Sequence, residues 1–172
     1  MPFNLAEQFI TAAEEELGAP LPHSYRQAMM ASNGGEVAAY DDVWNLHPIL
    51  DKSDLKRLSR SCNDILRETR MMGDWPDWPA NAVAIADNST GDKLLFLRVG
   101  RLYQQEVYVW LHDTGDLIVV AQSFSELRRT VTLLLGRLLF QTSDRRTKTI
   151  PSVAMFHTRE RSRKTPAAYK AR

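Results

Sequence analysis

The sequence predicts an α+β domain: N-terminal helices, an antiparallel or mixed sheet of about four to six strands, and a closing C-terminal helix. Three observations carry this prediction. Apolar residues recur at helical spacing from Ala6 to Ser32, with Gly18 and Pro22 between two helical segments. From Ala82 onward, short runs of Val, Leu, Ile and aromatic residues alternate with Gly-Asp turns. After Ser123 a capping pattern leads back into a helical leucine repeat.

The first helix is marked by Asn4 and Glu7, which read as a capping box in which the Asn side chain satisfies an orphan N–H. Ala6, Phe9, Ile10, Ala13 and Leu17 then follow helical spacing, and Gly18 ends the segment. Pro22 suits the first turn of a second helix, where a missing N–H goes unnoticed. Tyr25, Ala28, Met29 and Ser32 lie on one face, and Asn33-Gly34-Gly35 supplies left-handed residues that stop the helix.

Residues 37–46 read as extended, with Val43 to Leu46 alternating as a short strand. Ser53 is placed to cap a third helix on which Leu55, Leu58, Cys62, Ile65 and Thr69 share a face. That makes Cys62 a small core residue rather than a nucleophile or ligand. The segment Gly73–Pro79 (GDWPDWP) must be a loop, because its two prolines forbid continued helix.

The second half changes period. Ala82 to Ala86, Leu94 to Val99, Val107 to Leu111 and Leu117 to Ala121 are strand-like. Asn88–Asp92 and Asp113–Asp116 are turns too short for a parallel crossover, so neighbours should pair antiparallel. Ser123-Phe-Ser-Glu126 is a second capping box, expected to start a final helix with Leu127, Val131, Leu134, Leu135 and Leu138 toward the sheet.

Bulk properties narrow the function class. The chain has 172 residues, 44% apolar and 25% charged, which suits one globular domain with a tail. A single cysteine excludes an internal disulfide framework. No signal-peptide pattern opens the chain, and the apolar run Val131 to Phe140 is too short to span a bilayer. The expectation is a cytoplasmic protein with no membrane partner. Net charge is +1, yet residues 145–172 hold nine Lys/Arg and one acid, which leaves residues 1–144 at −7. We divide the chain into a domain, 1–142, and a basic tail, 143–172, in which Ile150, Val153, Met155 and Phe156 form an apolar patch.

Several stretches in order resemble the SUKH superfamily, the Smi/Knr-like domain known from bacterial toxin immunity. They are AEEELGAPLPHSYRQAMMASNGGE, then WNLHPI with Trp44 and Leu46, then AIADNSTGDKLLFL with Gly91-Asp92, and finally SFSEL before the last helix. The resemblance spans roughly Phe3 to Leu139. It implies an architectural role for Gly34, Gly35 and Gly91. It also implies a non-enzymatic module that binds protein: in bacteria an immunity protein that neutralises a cognate secreted toxin, often a nuclease, and elsewhere a scaffold or regulatory domain.

The residues themselves give little sign of catalysis. His23, His47, His112 and His157 have no His-x-x-x-His or Cys-x-x-Cys neighbour, so no metal site is expected. His112-Asp113 reads as a rim histidine leading into a Thr-Gly-Asp turn. Ser123 lacks a Gly-x-Ser-x-Gly elbow, and no Gly-rich phosphate loop or other cofactor motif is present.

Acids beside aromatics are the more informative feature. Asp41 and Asp42 precede Trp44, Asp74 and Asp77 flank Trp75, and Trp78 follows. Tryptophan offers buried area to a partner and carboxylates offer steering, a composition suited to a basic partner; the resemblance implies that this partner is a toxin such as a nuclease. The expected partner surface is Asp41, Asp42, Asp74, Trp75, Asp77, Trp78, Asp87 and Asp92. The competing reading places Trp44 and one of Trp75 or Trp78 in the core with the acids merely solvated. The basic tail suggests a second rival, nucleic-acid binding, which the near absence of interleaved aromatics disfavours. It also leaves room for self-association.

Overall fold

The computed structural model describes residues 2–129. The expected helical leucines Val131 to Leu138 and the basic tail lie outside the described residues.

Helices α1 (Glu7–Leu17) and α2 (His23–Ala31) form the N-terminal pair. Ile10 and Ala13 are buried on α1, and Tyr25 and Met29 on α2. Gly18, at φ 70°, closes α1 in the left-handed region, as its missing Cβ allows. The N-terminal cap corrects the sequence expectation. It falls on Ala6, which makes no side-chain cap bond, and not on Asn4. Leu5 is buried and its N–H donates to the Met30 carbonyl at 2.9 Å. Phe3 bridges Asn33, so the chain before Ala6 is held extended against α2. Asn4 instead accepts hydrogen bonds from the Arg57 guanidinium on its carbonyl and side-chain oxygens.

Pro22 is the cap residue immediately before α2. The far end of α2 closes on an extended Ser32, and the left-handed residues come later: Gly34 and Gly35 (φ 82° and 99°) swing the chain into the sheet. The stretch expected to be extended over 37–46 is a hairpin, β1 (Gly35–Ala39) and β2 (Asp42–Leu46). Tyr40 and Asp41 between them both have positive φ, 50° and 57°. That is the geometry of a two-residue type I′ turn, whose twist matches the strands.

The single helix expected after Ser53 is two short ones, α3 (Leu55–Arg60) and α4 (Ile65–Met72). Their caps are Asp54 and Asp64, whose carboxylates accept backbone N–H groups of the first turn. Ser61 is buried where the chain breaks, bonded to the Asp51 N–H and the Arg57 carbonyl. The break resets the helical phase. Leu55 is therefore 84% exposed, and Cys62 is exposed, not core as its spacing suggested.

The remaining strands are β3 (Ala82–Asp87), β4 (Lys93–Val99), β5 (Leu102–Tyr103), β6 (Val107–Trp110), β7 (Leu117–Ala121) and β8 (Arg128–Arg129). Their order is β7-β6-β4-β3-β2-β1-β8, with β5 pairing β4, and every pair is antiparallel. The protein is thus α+β, and among the described residues its sheet has six strands of four residues or more and two of two residues.

Ser123–Glu126 does not start a long helix. It forms one 3-10 turn, Phe124–Glu126, after which Leu127 is extended and Arg128–Arg129 pair with β1. Phe124 explains the departure. Its ring meets Tyr25 at 5.0 Å and Phe96 at 6.5 Å, and that burial together with strand pairing overrides the local capping signal.

Directly paired residues of an antiparallel sheet share a face. Leu46, Ala86, Leu94 and Val109 accordingly line one face in register and belong to the main core with Ile10, Tyr25 and Met29. A smaller cluster joins Met72 of α4 to Ala82, Ala84, Leu95 and Trp110.

Candidate functional site

Strand register decides which loops meet. Asn45 of β2 pairs with Asp87 of β3, and Lys93 of β4 with Trp110 of β6. The β1–β2 turn, the β3–β4 turn at 88–92 and the β6–β7 turn at 111–116 therefore project from one end of the sheet. The 73–79 loop joins them from α4. Trp75 lies with its ring 6.2 Å from Trp110 and 6.3 Å from His112, both edge-on, and Trp78 meets Trp110 at 5.2 Å. The Trp110 indole donates to the Asp77 carbonyl at 3.3 Å.

Two glycines let these loops interlock. A Cβ on Gly91 (φ 115°) would come within 2.9 Å of the His112 ring, and one on Gly115 (φ 73°) within 2.8 Å of Asp77 Cβ. The non-glycine residues with positive φ among the described residues are Tyr40, Asp41, Asp77 and Ser89. All of them sit in these same loops. Such backbone is held only where the surroundings over-determine it, and it concentrates at functional sites.

Side chains tie the turns together. Asn88 donates to Asp42 and to Asp92, both at 3.1 Å. Asp92 Oδ1 accepts the His112 backbone N–H at 3.0 Å and lies 2.9 Å from His112 Nδ1. His112 Nε2 is 3.0 Å from Asp113. Partial burial pushes the Asp92 carboxyl up, but hydrogen bonds from the His112 ring and backbone and from Asn88 outweigh it and hold it below the usual range. His112 moves the opposite way: the Asp92 hydrogen bond raises it against some desolvation, and Asp113 adds to the rise.

Beneath the turns lies a drier group. His47 is 5% exposed, and its Nε2 has no hydrogen-bond partner among the described residues. It faces Asp87 Oδ2 at 3.8 Å. Lys93 Nζ stands 3.8 Å from the same carboxylate and 3.7 Å from Glu68 of α4. Burial foremost, then Lys93, lowers His47 to about 4, and the nearby Asp87 only partly opposes this. His47 is thus a neutral histidine at ordinary pH.

Each expected surface residue can now be located. Asp41, Asp42, Asp74 and Asp77 are exposed, whereas Asp87 and Asp92 are half-buried and engaged with neighbours. Trp75 is 45% exposed and Trp78 half-buried. Trp44 is core, 1% exposed, with its indole donating to the Ala39 carbonyl. Residue spacing had not brought in Asp113 and Asp116, both exposed, or Asn88, which links two of the turns. The Thr-Gly-Asp turn was visible, but its place beside the other acids required the strand order.

Segments 40–42, 73–79, 87–93 and 111–117 hold eight aspartates against a single Lys, Lys93, and no Arg. This end can attract and grip cationic surface around an exposed indole. Among the described residues, no group of three His, Cys, Asp or Glu side chains is placed to hold a metal ion. None of their helices is long and apolar enough to cross a membrane.

Comparison with known protein families places this sequence in one of them. The profile of the SMI1 / KNR4 family (SUKH-1) matches residues 4–129. No curated protein matches the chain.

Proposed function

The chain belongs to the SMI1 / KNR4 family (SUKH-1), and from that premise we propose that it is a non-enzymatic, protein-binding module acting as an immunity protein for a cognate toxin. The partner surface is the acidic end of the sheet: Asp41, Asp42, Asp74, Trp75, Asp77, Trp78, Asp87 and Asp92, extended by Asp113 and Asp116. The partner is a basic protein, in the first instance a nuclease whose phosphate-binding groove the carboxylates would occupy. Binding takes place in the cytoplasm and uses no cofactor.

One observation carries this reading: three hairpin turns and the tryptophan loop converge at a single end, leaving Trp75 45% exposed among carboxylates. Trp75 packs edge-on against Trp110 and His112, and the part of its ring left in solvent adds nothing to that packing. It does suit an anchor inside an electrostatically steered interface.

Calorimetric titration of the full chain with the toxin encoded beside its gene tests the reading. Tight binding is expected, with an association rate that falls steeply with salt. Absence of binding to that toxin and to basic nucleases generally overturns it.

A further inference from the structure

Strand β7 (Leu117–Ala121) ends the sheet, and among the described residues it pairs on one side only, with β6. Its sequence, Leu-Ile-Val-Val-Ala, carries no charge or proline to guard that edge. Leu117 and Val119 are 40% and 45% exposed. Register puts them on the face of their partners Trp110 and Tyr108. Trp75 stands against Trp110 on the same side. Trp75, Leu117 and Val119 are thus exposed apolar groups on one face at this end of the sheet, with Asp74 and Asp77 beside Trp75 in the chain and Asp113 and Asp116 in the turn before Leu117; we call them the apolar strip.

Exposed apolar groups rimmed by carboxylates suit a docking surface, and the chain contains a matching complement. Residues 145–172 carry nine Lys/Arg against one acid, and Ile150, Val153, Met155 and Phe156 lie among them. Both halves of the match are present, apolar to apolar and cation to carboxylate. The reach is sufficient. The described chain ends in β8, six strand intervals from β7, roughly 29 Å at about 4.8 Å per interval. Residues 130–144 can span roughly 50 Å when extended.

We propose that the basic C-terminal segment, residues 145–172, docks in cis on the apolar strip of β6–β7 and covers Trp75. The inference stands apart from the identity of any partner. If the reading under Proposed function is right, the docked segment also competes with that partner for Trp75.

The indole N–H signals of the full chain test this without a partner. Trp75 is assigned by W75F, and buried Trp44, bonded to Ala39, reports that the fold is intact. Charge reversal in the segment (R159E/R161E/R163E/K164E) should move the Trp75 signal and raise acrylamide quenching of exposed tryptophan several-fold, with Trp44 unmoved. In the wild-type chain 1 M salt, where the Debye length is about 3 Å, should reproduce the same displacement, and in the reversed chain salt should add nothing. The salt experiment needs no variant, so a folding defect cannot mask the answer. A Trp75 signal insensitive to both perturbations overturns the proposal and leaves the strip open or covered by the largely apolar segment 131–140, whose one charge is Arg137. Displacement that depends on protein concentration also overturns it, because docking would then join two copies.

Discussion

Replacing His47 with Gln should flatten the acid side of the stability profile. The wild-type side chain is 5% exposed, has no partner for Nε2 among the described residues, and shares Asp87 with Lys93. Burial first, and Lys93 second, lower it from 6.5 to about 4. In the unfolded chain it protonates near 6.5, so unfolding takes up a proton between those two values. The contribution of neutral His47 is fully present above pH 6.5 and is lost as pH falls through about 4. At about 1.4 kcal/mol per pH unit, the total is about 3 kcal/mol. Urea denaturation of both chains from neutral pH down to pH 4 is the assay. The difference between their unfolding free energies should change by up to that amount, with its slope centred near pH 5. Parallel profiles would refute the reasoning, because they would mean that the site stays wet enough to charge. His112 should give a slope of opposite sign. Its raised value means its contribution is complete at low pH and is lost as pH climbs through it.

Other substitutions probe separate parts of the molecule. Arg57→Ala should destabilise the chain by about 1–3 kcal/mol, because it takes the cation from Oδ2 of buried Asp51, whose Oδ1 keeps the Ser53 N–H, and frees Asn4. Arg57→Lys should recover less than half of that loss, since an ammonium lacks the planar fork; thermal unfolding decides. The pair Tyr40→Asn and Asp41→Gly should stabilise the β1–β2 hairpin by about 1 kcal/mol through relief of left-handed strain, and a loss in the urea midpoint would contradict that. Trp75→Ala should leave the unfolding free energy within about 1 kcal/mol of wild type, yet weaken partner binding at least tenfold by calorimetry, as removal of an interface anchor does. Asp41→Asn together with Asp42→Asn should act mainly on the association rate and on its salt dependence.

Where the sequence was legible, the signals were local. Gly18 and Pro22 divide the opening helices because one residue tolerates left-handed backbone and the other lacks an N–H. Short turns at Asn88–Asp92 and Asp113–Asp116 announce antiparallel pairing, and Gly91 and Gly115 occupy positions with φ of 115° and 73°. The misreadings arose where a distant contact outweighed a local one. Asn4 is a good cap residue, but burial of Leu5 and the Arg57 hydrogen bonds take it elsewhere. Ser53 precedes a better cap, Asp54, and the spacing that joined Leu55 to Ile65 ignored the break at buried Ser61. Ser123 opens only a 3-10 turn, because Phe124 is drawn to Tyr25.

By itself the sequence determined the α+β class, the positions of the main turns and the pairing of acids with tryptophans, since each depends on period, propensity or composition within a few residues. Tertiary structure alone decided that Trp44 is interior while Trp75 faces solvent, and that Asp42, Asp92 and His112 are joined through Asn88 and the strand register. The reason is physical. Burial and proximity belong to the packed sheet, where residues far apart in the chain compete for the same space, and that competition leaves no trace in short-range spacing.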